Sequence, residues 1–533
     1  MTFRILEIKG SNKMFSSYTL LTKNIRGFIF IFFLYTVSLL MAQGTPGLLF
    51  TLTEGGTAYE VSKGTANASH IDIPEIYNEL PVKRIADSGF EGDETIISIN
   101  IPQSIFVIGS AAFSGCSSLS SINIPSGVNH IYPYTFQDCT ALNTVSIPNS
   151  ILIIYQYSFA GCISLTTITI PNGVTYLGFR AFDGCSSLSS VMIPNTIEQI
   201  PENPFTYCEN LVSIIVEEDN PYYRSEGNCL INIIDQSLIT GTKNSVIPEG
   251  IVSISENSFA GCSGLTSIII PESVTDIGIT AFFDCIGLIL ISIPDSVTSI
   301  GIGAFFNCSE LITVTLGNNL SSISENAFTG CSSLASITIP NSVLTINNEA
   351  FASCTNLATI ILSDNIEELG SYTFFNCSSL STIFLPISVE SVGYWTFSGC
   401  SSLTIYAEAM NQPPGWDSSW NPDDLPVVWG GVSSVDKNIE TVQTALQSNY
   451  PNPFNPETTI HYTLKNTTNV LLEIYNVKGQ RVLILINKVQ QSGFHQVSWN
   501  GINEYGQPVS SGMYFYSMIT DDYHSVKSMI LIK

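Results

Sequence analysis

The fold of this chain is decided by a stretch that reads Ala111-Ala112-Phe113-Ser114-Gly115-Cys116-Ser117-Ser118-Leu119-Ser120-Ser121-Ile122-Asn123-Ile124-Pro125. Near its end, Ile122 and Ile124 alternate with polar residues, which is typical of a half-buried β-strand. Pro125 ends this strand because a proline cannot donate a hydrogen bond to a strand ladder. Val128 and Ile131 follow, and they predict a second short apolar wall.

The same pattern recurs every 23 residues along most of the chain. A Phe precedes each repeated Cys by three residues, and a Leu follows it by three. The repeated cysteines are Cys116, Cys139, Cys162, Cys185, Cys208, Cys262, Cys285, Cys308, Cys331, Cys354, Cys377 and Cys400. One such unit cannot cover its own apolar side chains, so neighbouring units must stack, with their strands in a parallel sheet.

The step from Cys208 to Cys262 is 54 residues, which indicates one expanded unit at about residues 217–253. It contains the acidic run 217–219 and Cys229, which is out of register and is expected to be exposed. A bulging loop on the array surface is one interpretation, and a protrusion that contacts a ligand is the other. The acidic run fits a solvated loop or a calcium site.

The repeat resembles the BspA-like, or Treponema-type, leucine-rich repeats of bacterial surface proteins. The pattern A-F-x-x-C-x-x-L-x-x-I-x-I-P-x-x-V-x-x-I recurs a dozen times over roughly residues 58–430. The resemblance implies a leucine-rich-repeat solenoid with a parallel β-sheet on one face. It also implies adhesion to host or matrix proteins, or to other cells. The chain departs from common leucine-rich repeats because it has no asparagine ladder.

Thirteen cysteines would favour a disulfide framework if the chain is exported, but their spacing predicts buried thiols instead. In a stack, equivalent side chains run parallel, whereas a disulfide needs two Cβ atoms turned towards each other. A zinc site needs ligands that converge on one point, and a linear column does not converge. The predicted structural column contains Cys116, Cys139, Cys162, Cys185, Cys262, Cys285, Cys308, Cys331, Cys354, Cys377 and Cys400.

The composition argues against nucleic-acid binding and gives no sign of catalysis. The net charge is −26 and only 12% of the residues are charged, whereas phosphate binding needs clustered Lys and Arg. The five histidines form no zinc-protease spacing, and no phosphate loop, nucleophile elbow or dinucleotide motif is present. His130 occupies a variable polar position and is interpreted as a surface residue. We therefore expect no enzyme activity, cofactor or metal site.

The outward residues of the long strands form the candidate binding face. Hydroxyl and amide side chains dominate it, and apolar side chains enter the same column later in the chain. The candidate residues are Ser121, Asn123, Thr144, Ser146, Thr167, Thr169, Ile269, Ile361 and Phe384. These Ser and Thr residues either form a weakly charged binding surface with an apolar anchor or serve only strand formation and solubility.

The first 43 residues are predicted to be a secretory signal peptide. Lys23 and Arg26 precede an apolar run over 28–40, and small residues follow at Ala42 and Gly44. The run is shorter than the roughly 20 residues that span a bilayer, so cleavage near Ala42 is expected to leave no transmembrane anchor. An uncleaved N-terminal anchor is the alternative, and translation starts at either Met1 or Met14.

The C-terminal residues 449–533 predict a small antiparallel immunoglobulin-like sandwich. Six short strand-like runs occur between glycines, at 459–464, 470–475, 480–486, 494–499, 513–519 and 525–532. The segment resembles the type A C-terminal sorting domain of the type IX (Por) secretion system. The residues that carry the resemblance include Pro451, Asn452, Pro453, Phe454, Asn455, Pro456, Gly479, Trp499, Gly512 and Tyr514. The resemblance implies passage of a folded passenger through the outer membrane, with removal of the domain left open. An ordinary immunoglobulin-like spacer is the alternative.

The sequence thus predicts a mainly β chain with five parts. These are a signal peptide (1–43), an N-terminal cap with a partial repeat (44–89), the solenoid (90–432), a linker (433–448) and the sorting domain (449–533). The favoured function is an exported surface scaffold on a Gram-negative bacterium. Its expected partners are the type IX machinery and a host matrix protein, another cell or a glycan. A passive component of the cell envelope without a specific ligand is the competing hypothesis.

Overall fold

The computed structural model describes residues 44–53, 55–430, 444–454, 456–491 and 493–531. The predicted signal peptide lies outside these residues, as does most of the predicted linker. Within the described residues the chain is built from β-strands and turns without a helix, which confirms the predicted fold class. Two compact units are present. One contains the described residues up to Ser381 with Ser388–Leu403 and Pro414–Leu425, and the other contains Thr382–Ile387, Thr404–Pro413 and the described residues from Pro426 onward.

The long strands of the coils pair in parallel, and equivalent residues in regular coils are 23 positions apart, as in Thr144 beside Ser121 and Val145 beside Ile122. In regular three-residue strands such as Ser121–Asn123, Thr167–Thr169 and Thr313–Thr315, the middle residue points inward, while its two neighbours face solvent. The long strands are His70–Asp72, Ser98–Asn100, Ser121–Asn123, Thr144–Ser146, Thr167–Thr169, Ser190–Ile193, Ser213–Val216, Leu290–Ser292, Thr313–Thr315, Ser336–Thr338, Thr359–Ile361, Thr382–Leu385, Thr404–Ala407 and Val427–Trp429.

A second column of two-residue strands forms another side of the coil, with Ile131 beside Ile154 and Ile154 beside Leu177. The second residue of each pair is buried, so this column is the second apolar wall that the sequence predicted. The short strands are Val107–Ile108, His130–Ile131, Ile153–Ile154, Tyr176–Leu177, Ser253–Ile254, Asp276–Ile277, Ser299–Ile300, Ser322–Ile323, Thr345–Ile346, Glu368–Leu369 and Ser391–Val392.

The third side of the coil consists of turns that carry the Phe and Cys residues. The Phe rings stack on one another at centroid distances of 4.9–5.8 Å, with their planes within 18°. The residue before each Cys has a positive φ, as at Gly115 (73°), Asp138 (56°) and Asn307 (59°). Glycine, asparagine and aspartate tolerate this left-handed conformation best, which explains why they recur before the Cys.

The expanded unit is a packed antiparallel meander, and the expected bulging loop is wrong. Tyr223–Glu226, Cys229–Asn232 and Ser237–Thr240 pair in sequence, and the last of them continues in parallel into Ser253–Ile254. Apolar side chains of the second and third strands are fully buried, so packing holds the meander against the array. The expected exposure of Cys229 is also wrong, because its side chain is fully buried.

On the turn side of the array, the coil before the expanded unit is bonded directly to the coil after it. The backbone N–H of Tyr207 donates to the carbonyl of Ala260 (3.0 Å), although 53 residues separate them. The buried Asn203 side chain donates to the carbonyls of Asn257 (2.9 Å) and Ser258 (3.1 Å). The additional residues therefore enlarge the strand sides of the coil and leave the turn side continuous.

Both ends of the array carry closing elements. At the start, Leu49–Leu52 pairs in antiparallel with Tyr59–Ser62, which lies parallel to Leu80–Ile85, and Ile76–Tyr77 also pairs with Leu80–Ile85. Parallel stacking therefore begins before the predicted boundary at residue 90. At the other end, Trp420 stands edge-on to Phe397 (5.9 Å, 83°) and packs against Trp416, as a cap over the ring column.

The described residues of the C-terminal sandwich form seven strands in two antiparallel sheets. In spatial order, the first sheet contains Ala445–Tyr450, Thr458–Leu464 and Gly493–Trp499, and the second contains Arg481–Gln490, Thr468–Asn476, Gly512–Ile519 and His524–Leu531. The core between them includes Tyr462, Trp499 and Tyr516. The predicted boundary at residue 449 is wrong, because the first strand begins at Ala445.

Candidate binding face and C-terminal motif

The polar part of the candidate binding face is a regular exposed surface. Thr144 lies beside Ser121 in the neighbouring coil, and Ser146 lies beside Asn123. Thr167 and Thr169 occupy the same two outward positions of another long strand. All six of these side chains are exposed, since the strand pleat turns alternate residues outward. The surface offers closely spaced hydroxyl and amide groups and carries no charge of its own.

The apolar candidates have different environments. Ile269 is 67% exposed and does not belong to a long strand. Two residues before it, Ser267 forms an isolated β-bridge with Leu290. Ile361 is half-buried and lies beside Thr338. Phe384 is half-buried and stacks on Tyr406 at 5.0 Å. Sequence reasoning missed Tyr406, although it follows Phe384 by 22 residues, because the last coil is one residue shorter than the repeat.

The column cysteines are interior thiols, each bonded to the coil before it. Each regular thiol donates to the carbonyl oxygen of the Phe 26 residues earlier, at Sγ–O distances of 3.0–3.2 Å. Cys262 follows the expanded unit, lies 3.8 Å from the carbonyl of Gly241 and is partly accessible. Burial raises the pKa of Cys116, Cys262 and Cys354 to about 12. Such thiols are poor nucleophiles and poor metal ligands at neutral pH.

Asp93 occupies the first Cys position of the column and shows how a charge is held there. Its carboxylate is buried, accepts hydrogen bonds from Thr95 and pairs with Lys63 at 2.9 Å. Burial on its own would raise the pKa of Asp93, but the hydrogen bonds from Thr95 and Lys63 outweigh it and lower the pKa. The group is a structural ion pair in the first coils.

The remaining chemical candidates are surface or structural groups. His130 is half-exposed on a short strand. Glu217 accepts a hydrogen bond from the Asn195 backbone (3.1 Å), while the two acidic residues after it face solvent. Within the described ranges no group of three His, Cys, Asp or Glu side chains is placed to hold a metal ion. Nor does any helix in these ranges have the length and apolar character needed to cross a membrane.

The C-terminal motif closes the sandwich against its own last strand. The backbone N–H of Ile530 donates to Asn452 Oδ1 (2.7 Å), and the backbone N–H of Phe454 donates to the Ile530 carbonyl (2.9 Å). The Phe454 ring lies 5.5 Å from Trp499, which lies 5.1 Å from Tyr514. The chain segment after Tyr450 is thus fixed to residues that come some 75 positions later.

The other motif residues serve turns and strand ends. Gly479 has a φ of 75° in the turn before Arg481–Gln490, and Gly512 begins a strand opposite Leu531. Pro451 is half-buried, Pro453 and Pro456 are exposed, and Asn455 lies outside the described residues. Sequence reasoning did not single out Asn449, whose buried side chain donates to the Pro451 carbonyl (3.1 Å) and to Thr458 (2.9 Å).

The parallel coils and their repeated Phe, Cys and Leu side chains define a leucine-rich-repeat protein. The BspA type leucine rich repeat region matches in six copies, over residues 67–223, 240–338 and 281–404. These segments cover more than half of the sequence, and the chain therefore belongs to the BspA-type leucine-rich-repeat family. The FlgD Ig-like domain matches residues 455–522, in agreement with the antiparallel sandwich.

Several solved structures of leucine-rich-repeat proteins are similar to this chain, and the first of them supports the same fold. A leucine-rich repeat protein from Eubacterium ventriosum is 24% identical, with a TM-score of 0.55 over 69% of this chain and 95% of that one. A leucine rich cell surface protein from Faecalibacterium prausnitzii is 25% identical, with a TM-score of 0.48 over 73% and 94%. A leucine-rich repeat protein from Bacteroides ovatus is 27% identical, with a TM-score of 0.46 over 72% of this chain and 91% of that one. No curated protein matches the chain.

Proposed function

We propose that the chain is an exported surface protein whose coils form an adhesion or protein- and glycan-binding scaffold. The observation that carries this proposal is the exposed face of the long strands, where Ser121, Asn123 and their equivalents recur in successive coils without charge. The pattern of residues 23–42 supports export, since it has the form of a signal peptide. A repeated outward surface suits contact with an extended partner.

Substitutions that copy residues from other coils test the binding face. Phe384→Thr and Tyr406→Thr replace a stacked aromatic pair by the residue type found at the same position in Thr338. We expect this double variant to bind an immobilised matrix protein at least tenfold more weakly than the unaltered chain. Ile163→Ser is the matched control, because Ile163 is an exposed apolar residue outside the candidate face and other coils carry serine at its position, as in Ser117. No binding by the unaltered chain to a panel of matrix proteins and other cells would favour a passive envelope component.

The C-terminal sandwich is the proposed signal for type IX secretion and surface attachment. The support is the agreement between the motif and the packing, because Asn452, Phe454 and Trp499 hold the motif segment against the terminal strand. Phe454 and Trp499 are buried, so a machinery that reads this segment on a folded passenger would contact its exposed residues, Asn452 and Pro453.

Truncation tests this export role, and the structure sets where to cut. Residues 444–533 should be removed together, because Ala445–Tyr450 is the first strand of the sandwich. We expect the truncated chain to accumulate in the periplasm and to escape labelling by a membrane-impermeant amine reagent on intact cells. Surface labelling at the level of the full chain would refute the sorting role. An Asn487→Ala variant, on an exposed strand position away from the motif, serves as the export-competent control.

A further inference from the structure

One corner of the coil, between the short strand and the Phe turn, requires a left-handed backbone in nearly every repeat. The residue two positions before the stacked Phe has a φ between 48° and 62° in these coils. The chain places residues that are small, polar or flexible at most of these sites: Ala111, Asn257, Thr280, Gly303, Asn326 and Glu349. Tyr372 and Trp395 stand at the same position, with φ values of 56° and 55°.

Any side chain costs free energy in this conformation because its Cβ crowds the following carbonyl group, and a bulky residue is rarer there than asparagine or glycine. Strained positions of this kind are retained where the side chain has a use that outweighs the strain. The neighbouring coils show that asparagine, alanine or glycine satisfies the backbone at this corner. Packing of the coil therefore does not explain the choice of Tyr372 and Trp395.

These two residues belong to a cluster of four rings, which we call the aromatic corner: Tyr372, Phe375, Tyr394 and Trp395. Tyr372 lies at its centre, 5.6 Å from Phe375, 4.9 Å from Tyr394 and 6.0 Å from Trp395. All three contacts are nearly perpendicular, with interplanar angles of 63–88°. A perpendicular contact covers a face of only one of its two rings, so most ring faces in the cluster are not covered by another ring.

Solvent exposure supports the same conclusion. Tyr394 is 46% exposed and Trp395 is 44% exposed, whereas the rings of the interior Phe column are almost completely buried. Within the described residues, the hydroxyls of Tyr372 and Tyr394 and the indole N–H of Trp395 form no hydrogen bond with the protein. The aromatic corner thus combines open ring faces with three unused polar groups.

The same corner earlier in the chain provides a contrast. Tyr134 and Tyr157 share the backbone position and the positive φ, but their rings stack face to face at 5.4 Å and 9°. In a stacked pair, the two facing ring surfaces cover each other. Tyr157 also meets Phe179 edge-on (5.1 Å, 73°). The corner at residues 372–395 differs because its central Tyr372 has three perpendicular neighbours, and its described ring contacts include no stacked one.

We propose that the aromatic corner binds a neutral glycan with gluco-configured pyranose rings. The face of such a ring presents only C–H groups, which carry partial positive charge and complement the negative face of an aromatic ring. The phenol and indole groups can exchange hydrogen bonds with the ring's hydroxyls. The nearby positions hold amide and hydroxyl side chains, such as Asn348, Ser371 and Asn376, rather than cations. Together with the net charge of −26, this disfavours anionic glycans.

This inference rests on the proposed binding function and names one ligand class and its place. The test uses the full chain without its first 43 residues in native gels that contain hydroxyethylcellulose, mixed-linkage β-glucan or heparin. We expect at least one of the two neutral polysaccharides to retard the protein, and heparin to leave its mobility unchanged. The double variant Tyr394→Asn/Trp395→Asn should weaken the retardation at least tenfold.

The control variant alters the other tyrosine-rich corner, where Tyr134 and Tyr157 occupy the backbone position of Trp395. Tyr134→Asn/Tyr157→Asn removes two aromatic rings from the stacked corner and should leave retardation unchanged. Because Asn348 and Asn326 occupy the equivalent positions of other coils, the Tyr394→Asn/Trp395→Asn variant should unfold at a urea concentration no lower than that of the unaltered chain. A variant that is equally stable but no longer binds is the result expected only of a ligand-contacting site.

Three results would overturn the inference. The first is an unaltered chain that neither neutral polysaccharide retards, and the second is retardation that persists in the Tyr394→Asn/Trp395→Asn variant. The third is loss of matrix-protein binding in that variant without any glycan binding, which would assign the corner to a protein. If matrix-protein binding remains and depends on Phe384, the proposed scaffold function stands while the glycan inference fails.

Discussion

Substitution of Phe305 by alanine tests how much each ring of the interior column contributes. Phe305 is fully buried between Phe282 (5.1 Å, 4°) and Phe328 (5.3 Å, 2°). Removing a buried Phe side chain costs about 3–5 kcal/mol, since the surrounding coils cannot collapse into the space. The two lost ring contacts, at about 0.5–1.5 kcal/mol each, place the expected cost towards the upper end of that range.

The adjacent Phe306 gives a matched control. It stacks on Phe283 at 5.0 Å but is half-exposed, and other coils place alanine at this position, as in Ala352. We expect Phe306→Ala to cost about 1 kcal/mol, the worth of one exposed aromatic contact. The contrast between neighbouring residues separates the interior column from the surface of the same turn.

Amide hydrogen exchange followed by mass spectrometry measures the effect coil by coil. Because each coil touches only its neighbours, peptides that contain Phe282, Phe305 and Phe328 should lose protection in Phe305→Ala, while those near Phe136 should not. A loss of about 4 kcal/mol corresponds to exchange accelerated roughly a thousandfold. Equal effects of Phe305→Ala and Phe306→Ala, or a change below about 1 kcal/mol, would refute the stacked-column account.

Three further predictions concern other parts of the array. Gly330→Val should lower the free energy of unfolding by about 1–2 kcal/mol or more, because φ at this residue is 74°; an unchanged urea midpoint would contradict this. The lowered pKa of Asp93 means that its ion pair with Lys63 stabilises the first coils above the ordinary carboxyl pKa of 3.8. This stabilisation should disappear as the pH falls through the lowered pKa that Asp93 has in the folded protein. If the free energy of unfolding depends on pH below about pH 5 in the same way in Asp93→Asn as in the unaltered chain, the stabilising role of Asp93 is refuted. Trp420→Ala should expose the last ring, Phe397, and cost about 3–5 kcal/mol locally, measured as faster amide exchange confined to the last coils.

The regular coils could be predicted from sequence because one repeated pattern fixes each side of the coil. Alternation at Ile122 and Ile124 gives the long strand, and the spacing of Val128 and Ile131 gives the second wall. The repeated three-residue spacing between Phe and Cys predicts the interior column of stacked rings and thiols. Each of these signals recurs a dozen times, so that local exceptions do not disturb the assignment.

The expanded unit was misjudged because its residues leave the 23-residue period. A signal for its first hairpin was nevertheless present in Gly227-Asn228, a two-residue turn in which both residues have positive φ and which joins Glu226 to Cys229. The strand Ala445–Tyr450 was missed for a different reason. Its residues are mostly poor strand formers, and their pairing with Thr458–Leu464 is a tertiary effect.

The binding candidates were only partly accessible to sequence reasoning. Outward positions such as Thr144 follow from strand alternation alone. The aromatic corner does not, because Tyr372 and Trp395 look like variable positions until the short strand and the turn are placed in space. Their positive φ values and perpendicular packing are properties of the folded chain.

Site-resolved thiol alkylation of the folded chain is the most direct test of the stacked coils. All thirteen cysteines are free, and twelve are buried, with Cys262 partly accessible. Treatment of the native protein with iodoacetamide at pH 8 should therefore modify Cys262 at most, whereas guanidinium chloride should expose all thirteen to the reagent. Ready modification of interior thiols such as Cys308 and Cys331 in the native protein, at rates close to those of the unfolded chain, would contradict the account.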